Sequence, residues 1–488
     1  MKRFLIYSAV IAAIVAFGIC AAFSNNIADE FILVMFYPLL YAVMVIVLGQ
    51  YLLDKTRSGR ITVTIFLVIQ FLRAVLLPVL GAISGYFKQI TGLLDSNSAA
   101  LASVLVFVEM IVTFLCACLI LRYSRRIPAQ AETLPRELSG NIYIYILFVL
   151  VAAVLYIWKG EGMYSFFSLD ITTDQRASFT EETIGMELSA IISFGLTFLV
   201  ILLLYWNCRK YQKTGKKRYM YYSLLVMIAR ICIISSNSEG RLAVLYPTGV
   251  ALLLLPRLYP RHRGTIVRSV MVVGVAVIGM MTLYKTFHAF LYDSYADALQ
   301  GGMDDFSMHD AATQIDIYFY GVRNIAKNLY VSDRLSLDFT TMVKDLLRNT
   351  FGIHYLFRGG QDTTLELYNL YIYSGELTAG HLYSSLAYGS TYLTPLLAPL
   401  ATVFNMLLVT GVEKWLRRMR TMDTYYIVGI VYMRMAYNLF ACFPLAWNYA
   451  SRMLLLGFLI IGGASLLKGK RTTVAEPWTV RDGGYEKT

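Results

Sequence analysis

The stretch that decides the fold is YYSLLVMIARICIISSNSEGRLAVLYPTGVALLLL, residues 221–255. Two apolar runs flank a short polar joint that places Glu239, Gly240 and Arg241 side by side, and Arg230 lies inside the first run. Apolar runs of this kind are typical of helices that cross a hydrocarbon core about 30 Å thick. The joint is therefore expected at a membrane surface, and its function depends on which surface that is.

Composition places the whole chain in the same class. Of its 488 residues, 57% are hydrophobic and 15% are charged, whereas soluble domains have about 45–50% apolar and about 25% charged residues. We predict an all-α polytopic membrane protein. The net charge of +12 is typical of the basic cytoplasmic loops of such proteins, so it does not indicate a nucleic-acid partner.

Spans of about 20 apolar residues recur along the chain. We predict about twelve transmembrane helices, at 4–23, 31–53, 61–83, 101–121, 142–158, 188–206, 219–238, 242–255, 269–287, 391–412, 425–444 and 451–467. The first span has no clear cleavage site and a second span follows at once, so we interpret it as retained. The six cysteines lie in or at the ends of spans and give neither a disulfide framework nor a metal-binding spacing.

The connectors between the spans alternate in charge. The basic ones are DKTRSGR, RYSRRIPAQAETLPREL, CRKYQKTGKKR, PRLYPRHRGTIVR, EKWLRRMR and the tail KGKRTT. By the positive-inside rule these connectors and both termini are cytoplasmic. The joint that holds Glu239 and Arg241 then faces outward, as does the connector at 159–187.

This topology divides the chain into four regions. Residues 1–287 hold the first nine spans, 288–390 form an external segment, 391–467 hold the last three spans, and 468–488 form a cytoplasmic tail. The external segment contains four of the five histidines, and two of its stretches, 312–330 and 337–349, have helical spacing. We predict a folded cap of short amphipathic helices; the alternative is that its apolar face merely seals the bundle.

Three arginines fall near the middle of predicted spans: Arg73, Arg230 and Arg434. Inserting an arginine at the middle of a membrane helix costs about 2.5–3.5 kcal/mol, unless its charge is paired or hydrogen-bonded. Glu109 is similarly deep and lies on the span after that of Arg73, so a structural ion pair is one interpretation. Arg230 and Arg434 have no obvious deep carboxylate, which favours an anionic ligand because the guanidinium fork matches phosphate oxygens.

The external joint strengthens the expectation of an anion site. Arg230 and Arg241 flank the same turn, and Arg241 begins the next span, where backbone N–H groups also favour anions. Glu239 has two interpretations, as a catalytic carboxylate or as a simple partner of Arg241.

A second cluster lies where the external segment returns to the membrane. Arg358 is followed by Gly359 and Gly360, so the backbone can approach a ligand there. Glu376, His381 and Tyr383 follow just before the tenth span and offer a carboxylate, an imidazole and a phenol. These groups can take a proton from a sugar hydroxyl and bind polar groups, although a lone loop histidine is often without a catalytic role.

Two further features have open interpretations, and several motifs are absent. Arg176 is either a third external binding cation or an ordinary surface charge, and the external tyrosines either stack on sugars or form a membrane-interface belt. The sequence contains no phosphate-binding loop, dinucleotide fingerprint, HExxH, DxD or nucleophile elbow in a suitable context. We therefore expect chemistry without a cofactor, a metal or ATP.

The sequence resembles the Wzy-type O-antigen and oligosaccharide repeat-unit polymerases. The resemblance rests on the span layout, the long external segment before the last three spans, the turn SNSEGRLAVL at 236–245, and the Gly/Ser-rich re-entry SGELTAGHLYSSLAYGSTYLTPLL at 374–397. It implies a GT-C-like integral membrane glycosyltransferase of the bacterial cytoplasmic membrane. Such enzymes join repeat units carried on undecaprenyl diphosphate into O-antigen, capsule or exopolysaccharide, alongside a chain-length regulator and a flippase.

The resemblance also implies roles for particular residues. The family's external arginines correspond to Arg241 and Arg358, and less directly to Arg176 and Arg230. The related O-antigen ligases share an external arginine and histidine, which correspond to Arg358 or Arg241 with His381. Many members have Ser-Arg-Gly where this chain has Glu-Gly-Arg, so the resemblance assigns no role to Glu239.

The residues and the resemblance lead to one hypothesis and two alternatives. Arg230 and Arg241, with Arg434 or Arg358, are predicted to hold the donor diphosphate, while His381 or Glu376 takes the proton from the acceptor hydroxyl. A lipid-linked oligosaccharide flippase or secondary transporter is the first alternative, although the long external segment breaks the usual two-half symmetry of transporters. The second alternative is an O-antigen ligase.

Overall fold

The computed structural model describes most of the chain. The described residues are 2–52, 59–90, 92–123, 137–159, 164–166, 186–235, 244–286, 297, 299–301, 307–357, 363–373, 382–467, 478–481 and 484–487.

The protein is a helical membrane protein, as its composition predicts. The helices of the first half are α1 (Lys2–Ala22), α2 (Tyr37–Leu52), α3 (Arg60–Phe71), α4 (Leu77–Ser84), α5 (Ser96–Tyr123), α6 (Ile142–Lys159), α7 (Met186–Thr214), α8 (Arg218–Cys232), α9 (Leu245–Leu258) and α10 (Arg263–Thr286). A π-helical turn, Leu72–Leu76, joins α3 to α4, and a 3-10 helix, Asp29–Phe36, leads into α2.

The second half begins with short helices and ends with long ones. They are α11 (Met308–Tyr318), α12 (Val322–Ser332), α13 (Phe339–Arg348), α14 (Thr364–Ile372), α15 (Ser385–Tyr392), α16 (Pro399–Arg418), α17 (Met422–Tyr437) and α18 (Phe443–Leu466). The described structure also contains 3-10 helices at Ser24–Asn26, Pro260–His262 and Ile353–Phe357. It has two small antiparallel pairs, β1 (Tyr164–Phe166) with β2 (Ile233–Ser235) and β3 (Trp478–Arg481) with β4 (Gly484–Lys487).

Within the described part of the chain, seven helices are long and apolar enough to cross a membrane. They are Phe4–Ala22, Asp29–Leu52, Arg60–Ser84, Ser96–Tyr123, Leu188–Thr214, Pro260–Met280 and Phe443–Leu466. Two more of the predicted spans form shorter apolar helices, Ile142–Trp158 and Leu245–Leu258. The predicted spans at 219–238 and 425–444 overlap α8 and α17. The predicted span at 391–412 begins too early, because 391–392 end α15 and α16 begins only at Pro399. None of these three helices is among the seven, so the count of twelve is not confirmed.

The boundary between the last two predicted spans differs from the prediction. The break was expected between 444 and 451, but it lies at 438–442, between α17 and α18. Pro444 is the second residue of α18, a position where its missing N–H has no helical partner to lose. The Asn405 amide stabilises the break by donating to the carbonyls of Leu439 (3.0 Å) and Ala441 (2.9 Å).

The described chain forms two compact units. The first comprises Met1–Glu132, Asp305–Arg417 and Arg434–Arg452; the second comprises Thr133–Asp304, Arg418–Met433 and Met453–Thr488. The first unit contains the large aromatic core, including Phe31, Phe66 and Phe87, each with 0% relative exposure.

The short helices of residues 307–392, here named the 307–392 segment, confirm the helical spacing predicted for 337–349. The stretch 312–330 is also helical, but it is divided between α11 and α12 by a turn at 319–321. Helix α11 begins with a capping box in which the Ser307 and Asp310 side chains each bond the other's backbone N–H. The N-caps of α13 and α14 are Asp338 and Thr363, whose side chains accept from Thr341 and Glu366 N–H groups. Sequence patterning and capping therefore agree along this segment.

A tight turn joins α11 to α12. Tyr320 adopts a positive φ of 54°, which is unusual for a bulky residue. The next residue, Gly321, has no room for a side chain, because a Cβ there would lie 2.2 Å from Asp316 Oδ1 and 2.4 Å from Leu77 Cδ2.

We expect Gly321→Ala to lower the free energy of unfolding by about 1–3 kcal/mol, because the added methyl group overpacks the Asp316 carboxylate and Leu77. The φ of Gly321 is −71°, so the effect is steric and not conformational. Thermal unfolding of the purified protein in detergent measures it. Gly411→Ala is the matched control, since a Cβ at Gly411 meets nothing within 4 Å; equal melting temperatures for the two variants would contradict the prediction.

Candidate functional site

The first unit contains a cavity of about 500 Å³, here named the polar cavity. Its polar lining residues are Asp95, Asn97, Ser98, Ser332, Asp333, Ser390 and Thr391. Its apolar lining residues are Leu101, Leu329, Leu335, Leu337 and Pro395. A volume of this size is within the range of about 300–1,000 Å³ found for small-molecule sites.

Three chain segments build this cavity. One is the start of α5, where Asp95 caps the helix by accepting from Ser98 N–H at 2.8 Å. The second is the end of α12 and the turn that follows it, with Ser332 and Asp333. The third is α15, with Ser390 and Thr391. Hydrogen bonds from the Ser98 hydroxyl and N–H hold the pKa of Asp95 below its usual value, so this carboxylate is ionised at neutral pH.

Tyr383, a predicted substrate-binding residue, lies behind the cavity wall. Its relative exposure is 0%, and its hydroxyl is shared with Ser332 Oγ and with Thr391 Oγ1 at 3.1 Å. Both partners line the polar cavity, and burial raises the pKa of Tyr383 to about 12, so it keeps its proton. In this position Tyr383 orients two cavity hydroxyls and presents no face of its own to a ligand.

A second layer of hydrogen bonds fixes Tyr383 and its neighbours. Buried Asn328 donates to the Tyr368 hydroxyl at 2.7 Å and accepts from Ser384 N–H at 2.9 Å. The Tyr368 and Tyr383 rings meet edge to face at 5.1 Å. Fully satisfied buried networks of this kind are rigid, so the cavity hydroxyls are held in place before any ligand arrives.

Asp345 is a buried carboxylate that the sequence analysis did not identify. It accepts from Thr364 N–H (2.8 Å), Thr364 Oγ1 (2.6 Å) and the Tyr388 hydroxyl (3.1 Å). Burial raises its pKa despite these bonds. The available sequence signal was the spacing of Asp345 four residues after Thr341 on an amphipathic helix, which places both side chains on the same face. In the structure both are buried. Its bonds to the first turn of α14 give it a capping role.

Asp316 is a second buried carboxylate in the 307–392 segment. It accepts from the N–H groups of Arg323 (3.2 Å) and Asn324 (2.7 Å) in the first turn of α12. The Arg323 guanidinium lies 4.5 Å from the centre of the Tyr86 ring, and His309 meets the same ring edge to face at 5.0 Å. Burial raises the pKa of Asp316 to about 6, and the hydrogen bonds and Arg323 offset only part of that effect.

The predicted structural pair of Arg73 and Glu109 is confirmed. Arg73 Nη2 lies 2.9 Å from Glu109 Oε2, and both side chains are buried. Arg73 also donates through Nε to the Tyr320 carbonyl at 3.0 Å and stacks on Phe440 at 4.0 Å. The second carboxylate oxygen of Glu109 accepts from Thr402 Oγ1 at 2.5 Å.

The other two deep arginines have different surroundings. Arg230 is half-buried at the end of α8 and donates through Nη1 to the Ile233 carbonyl at 3.3 Å. Its Nε is buried and has no hydrogen-bond partner among the residues that the structure describes. Arg434, in the first unit, is half-buried with its guanidinium 3.8 Å from the centre of the Tyr449 ring.

Six predicted site residues lie outside the described residues: Arg176, Glu239, Arg241, Arg358, Glu376 and His381. The structure therefore neither brings them together nor separates them. Among the residues that are described, no group of three or more His, Cys, Asp and Glu side chains is arranged to hold a metal ion.

Comparison with known proteins identifies no relative. No protein-family model, no curated protein and no solved structure matches this chain. What the molecule does must be inferred from its own residues.

We expect Asp316 to make the protein more stable as the pH falls below about 7. Its folded pKa of about 6 exceeds the ordinary value of 3.8, so the folded state binds a proton that the unfolded state releases. Between pH 8 and pH 5 the gain is roughly 1.4 kcal/mol, and it is complete below about pH 4. Asp316→Asn removes this contribution.

The measurement is thermal unfolding of wild type and Asp316→Asn at pH 8 and pH 5, so that all other titrating groups cancel in the difference. Asp310→Asn is the contrasting control, because Ser307 hydrogen bonds hold the pKa of Asp310 below its usual value, so this carboxyl stays ionised from pH 8 to pH 5 and the variant should keep the wild-type pH dependence. An identical pH dependence for wild type and Asp316→Asn would contradict the assignment.

Proposed function

We propose that the protein is a membrane glycosyltransferase that polymerises undecaprenyl-diphosphate-linked oligosaccharide repeat units into a surface polysaccharide. The observation that carries the proposal is the polar cavity of the first unit. A membrane protein has little need for a preorganised pocket of hydroxyl, amide and carboxylate groups unless it handles a polar ligand. Sugars fit such a pocket, because they combine many hydroxyl groups with apolar C–H faces.

The finer topology belongs to the same proposal. Twelve spans place both termini and every basic connector in the cytoplasm, and place the 307–392 segment with its polar cavity on the outer face of the bacterial cytoplasmic membrane. Lipid-linked repeat units are used on that face. The apolar run Ile142–Trp158 of α6 has 17 residues, which is within the range of about 17–25 residues for a span. The same proposal assigns the shorter helices α8 and α9 as spans.

The reaction needs only the donor, the acceptor and protein side chains. The acceptor hydroxyl oxygen attacks the anomeric carbon of the donor glycan, and the bond from that carbon to the diphosphate oxygen breaks. The proton of the acceptor hydroxyl passes to His381 or Glu376. The negative charge that grows on the departing undecaprenyl diphosphate is stabilised by arginines. The leaving group is already a diphosphate, so no ATP is consumed.

The cations for that step are Arg230 and Arg241, with Arg434 or Arg358. Arg230 supports this role because its buried Nε has no hydrogen-bond partner within the described residues. A buried guanidinium N–H without an acceptor carries a desolvation cost, which an anionic ligand that accepts its hydrogen bond would remove. Arg73 is excluded from the role because Glu109 already neutralises it.

The direct experiment reconstitutes the purified full chain with a lipid-diphosphate-linked repeat unit, with EDTA and without nucleotide. Gel separation of a ladder of lengthening glycans supports a metal-independent polymerase. A single transfer to another acceptor without a ladder identifies a ligase. Movement of the lipid-linked unit across the vesicle membrane without any new glycosidic bond identifies a flippase, and the proposal is then wrong.

We expect Arg230→Ala and Arg241→Ala each to reduce polymer formation by at least about a hundredfold, since loss of one preorganised charge stabiliser costs about 2.7–4 kcal/mol in a transition state. The glycan ladder is measured together with the amount of inserted protein. Arg209→Ala is the matched control, because Arg209 is an exposed arginine on α7 whose described hydrogen bond goes to Tyr205. Normal chain length in both alanine variants would contradict the scheme.

A further inference from the structure

The polar cavity has a charge that decides which part of a substrate it accepts. Two of its lining residues are carboxylates, Asp95 and Asp333, and none of its described lining residues is Lys, Arg or His. Asp95 is held ionised by Ser98, and Asp333 is exposed at the cavity edge. The cavity wall therefore carries negative charge at neutral pH.

Arg334, which follows Asp333 in the sequence, does not reverse the negative charge of the cavity wall. Arg334 helps to lower the pKa of Asp95, so its field reaches the cavity. Its guanidinium, however, lies 3.4 Å from the centre of the Tyr330 ring and donates to the Tyr330 carbonyl at 2.8 Å. Arg334 is exposed and is not a lining residue, and one cation beside two carboxylates leaves the wall acidic.

We infer that the polar cavity binds uncharged or amino sugars and excludes anionic groups, so that it holds the acceptor end of the glycan and not the diphosphate. A carboxylate accepts hydrogen bonds from two neighbouring sugar hydroxyls, and charge-assisted bonds of this kind are about twice as strong as neutral ones. A uronate or a phosphate in the same place would set like charges close together. The assignment of the cavity to the acceptor rests on the proposed function. The preference for uncharged or amino sugars over anionic groups does not.

The other lining residues fit the same ligand class. Ser332 and Thr391 are oriented by the buried Tyr383 hydroxyl, and the leucines of the wall offer apolar surface to the C–H face of a pyranose ring. A ligand that was wholly apolar would leave the two carboxylates and the hydroxyls without partners.

The charge of the cavity is measured first, with the full chain in nanodiscs carrying Ser390→Cys. The probes are a cationic and an anionic methanethiosulfonate of similar size, and the wild-type reaction of the six native cysteines is subtracted. We expect the cationic probe to exceed the anionic one by at least about tenfold, after correction for their rates with a free thiol. Adding Asp95→Asn and Asp333→Asn should remove most of that preference.

Asp95→Asn is a suitable replacement because Asn also caps a helix N-terminus, so the start of α5 is retained. Asp333→Asn replaces an exposed side chain at the end of α12. The control adds Asp29→Asn instead, since Asp29 is an exposed acid of the first unit that does not line the cavity; it should leave the preference unchanged. Equal rates for the two probes, or a preference that survives both asparagine substitutions, would overturn the acidic-cavity assignment.

Ligand preference is measured in the same Ser390→Cys variant, by protection of the introduced thiol against an uncharged methanethiosulfonate. The competitors are tetrasaccharides of glucose, galactose, mannose and N-acetylglucosamine, and a tetragalacturonate of the same length. We expect protection by at least one uncharged tetrasaccharide, no protection by the galacturonate, and recovery of galacturonate protection in the double asparagine variant. Protection by none of the uncharged tetrasaccharides, or equal protection by the galacturonate, overturns the inference.

The outcome of this experiment is independent of the outcome of the glycan-ladder assay. Protection by uncharged sugars without a ladder would leave the cavity as a sugar site in a protein of another function. If a glycan ladder forms but the cavity does not discriminate between charged and uncharged sugars, the protein is still a polymerase and its acceptor site lies elsewhere.

Discussion

The buried ion pair of Arg73 and Glu109 is the interaction on which the first unit depends. Neither group is tolerable alone in a membrane, since each costs a few kcal/mol there, and removing one partner of a buried pair costs about 3–5 kcal/mol. The pair joins the π-helical turn to α5, and its remaining bonds reach Thr402 on α16 and the carbonyl of Tyr320. One charge pair thus connects three helical elements to the start of the 307–392 segment.

The polar cavity follows from that anchor. The bond from Arg73 holds the carbonyl of Tyr320, the residue with positive φ, and Asp316 caps α12 across the same turn. Helix α12 ends at Ser332, on one wall of the cavity, and α5, which carries Glu109, begins beside Asp95 on another. The same pair of charges therefore helps to position the elements that carry two of the cavity walls.

Much of this fold is predictable from the sequence, for physical reasons that particular residues make plain. Arg73 and Glu109 are found because charges in apolar runs are costly, and the helices of the 307–392 segment because their apolar residues repeat at helical spacing. The cavity is not predictable, because its polar residues come from three distant segments and each alone is an ordinary serine, asparagine or capping aspartate. Tyr383 shows the same limit: its type indicated a ligand contact, and only the packing reveals that it acts through Ser332 and Thr391.

Within the first unit, charges of opposite sign lie in different surroundings. Arg434 is half-buried on an otherwise apolar helix, where a low dielectric strengthens its attraction for an anion. Asp95 and Asp333 face a polar cavity, where a carboxylate is hydrated when no ligand is bound and accepts hydroxyl groups when one is. A lipid-linked glycan has the same division, with an anionic diphosphate next to an apolar tail and hydroxyl-rich sugars beyond it. A ligand with its charge on the sugar end would meet the wrong sign at the cavity, and this mismatch links the inferred acceptor preference to the proposed chemistry.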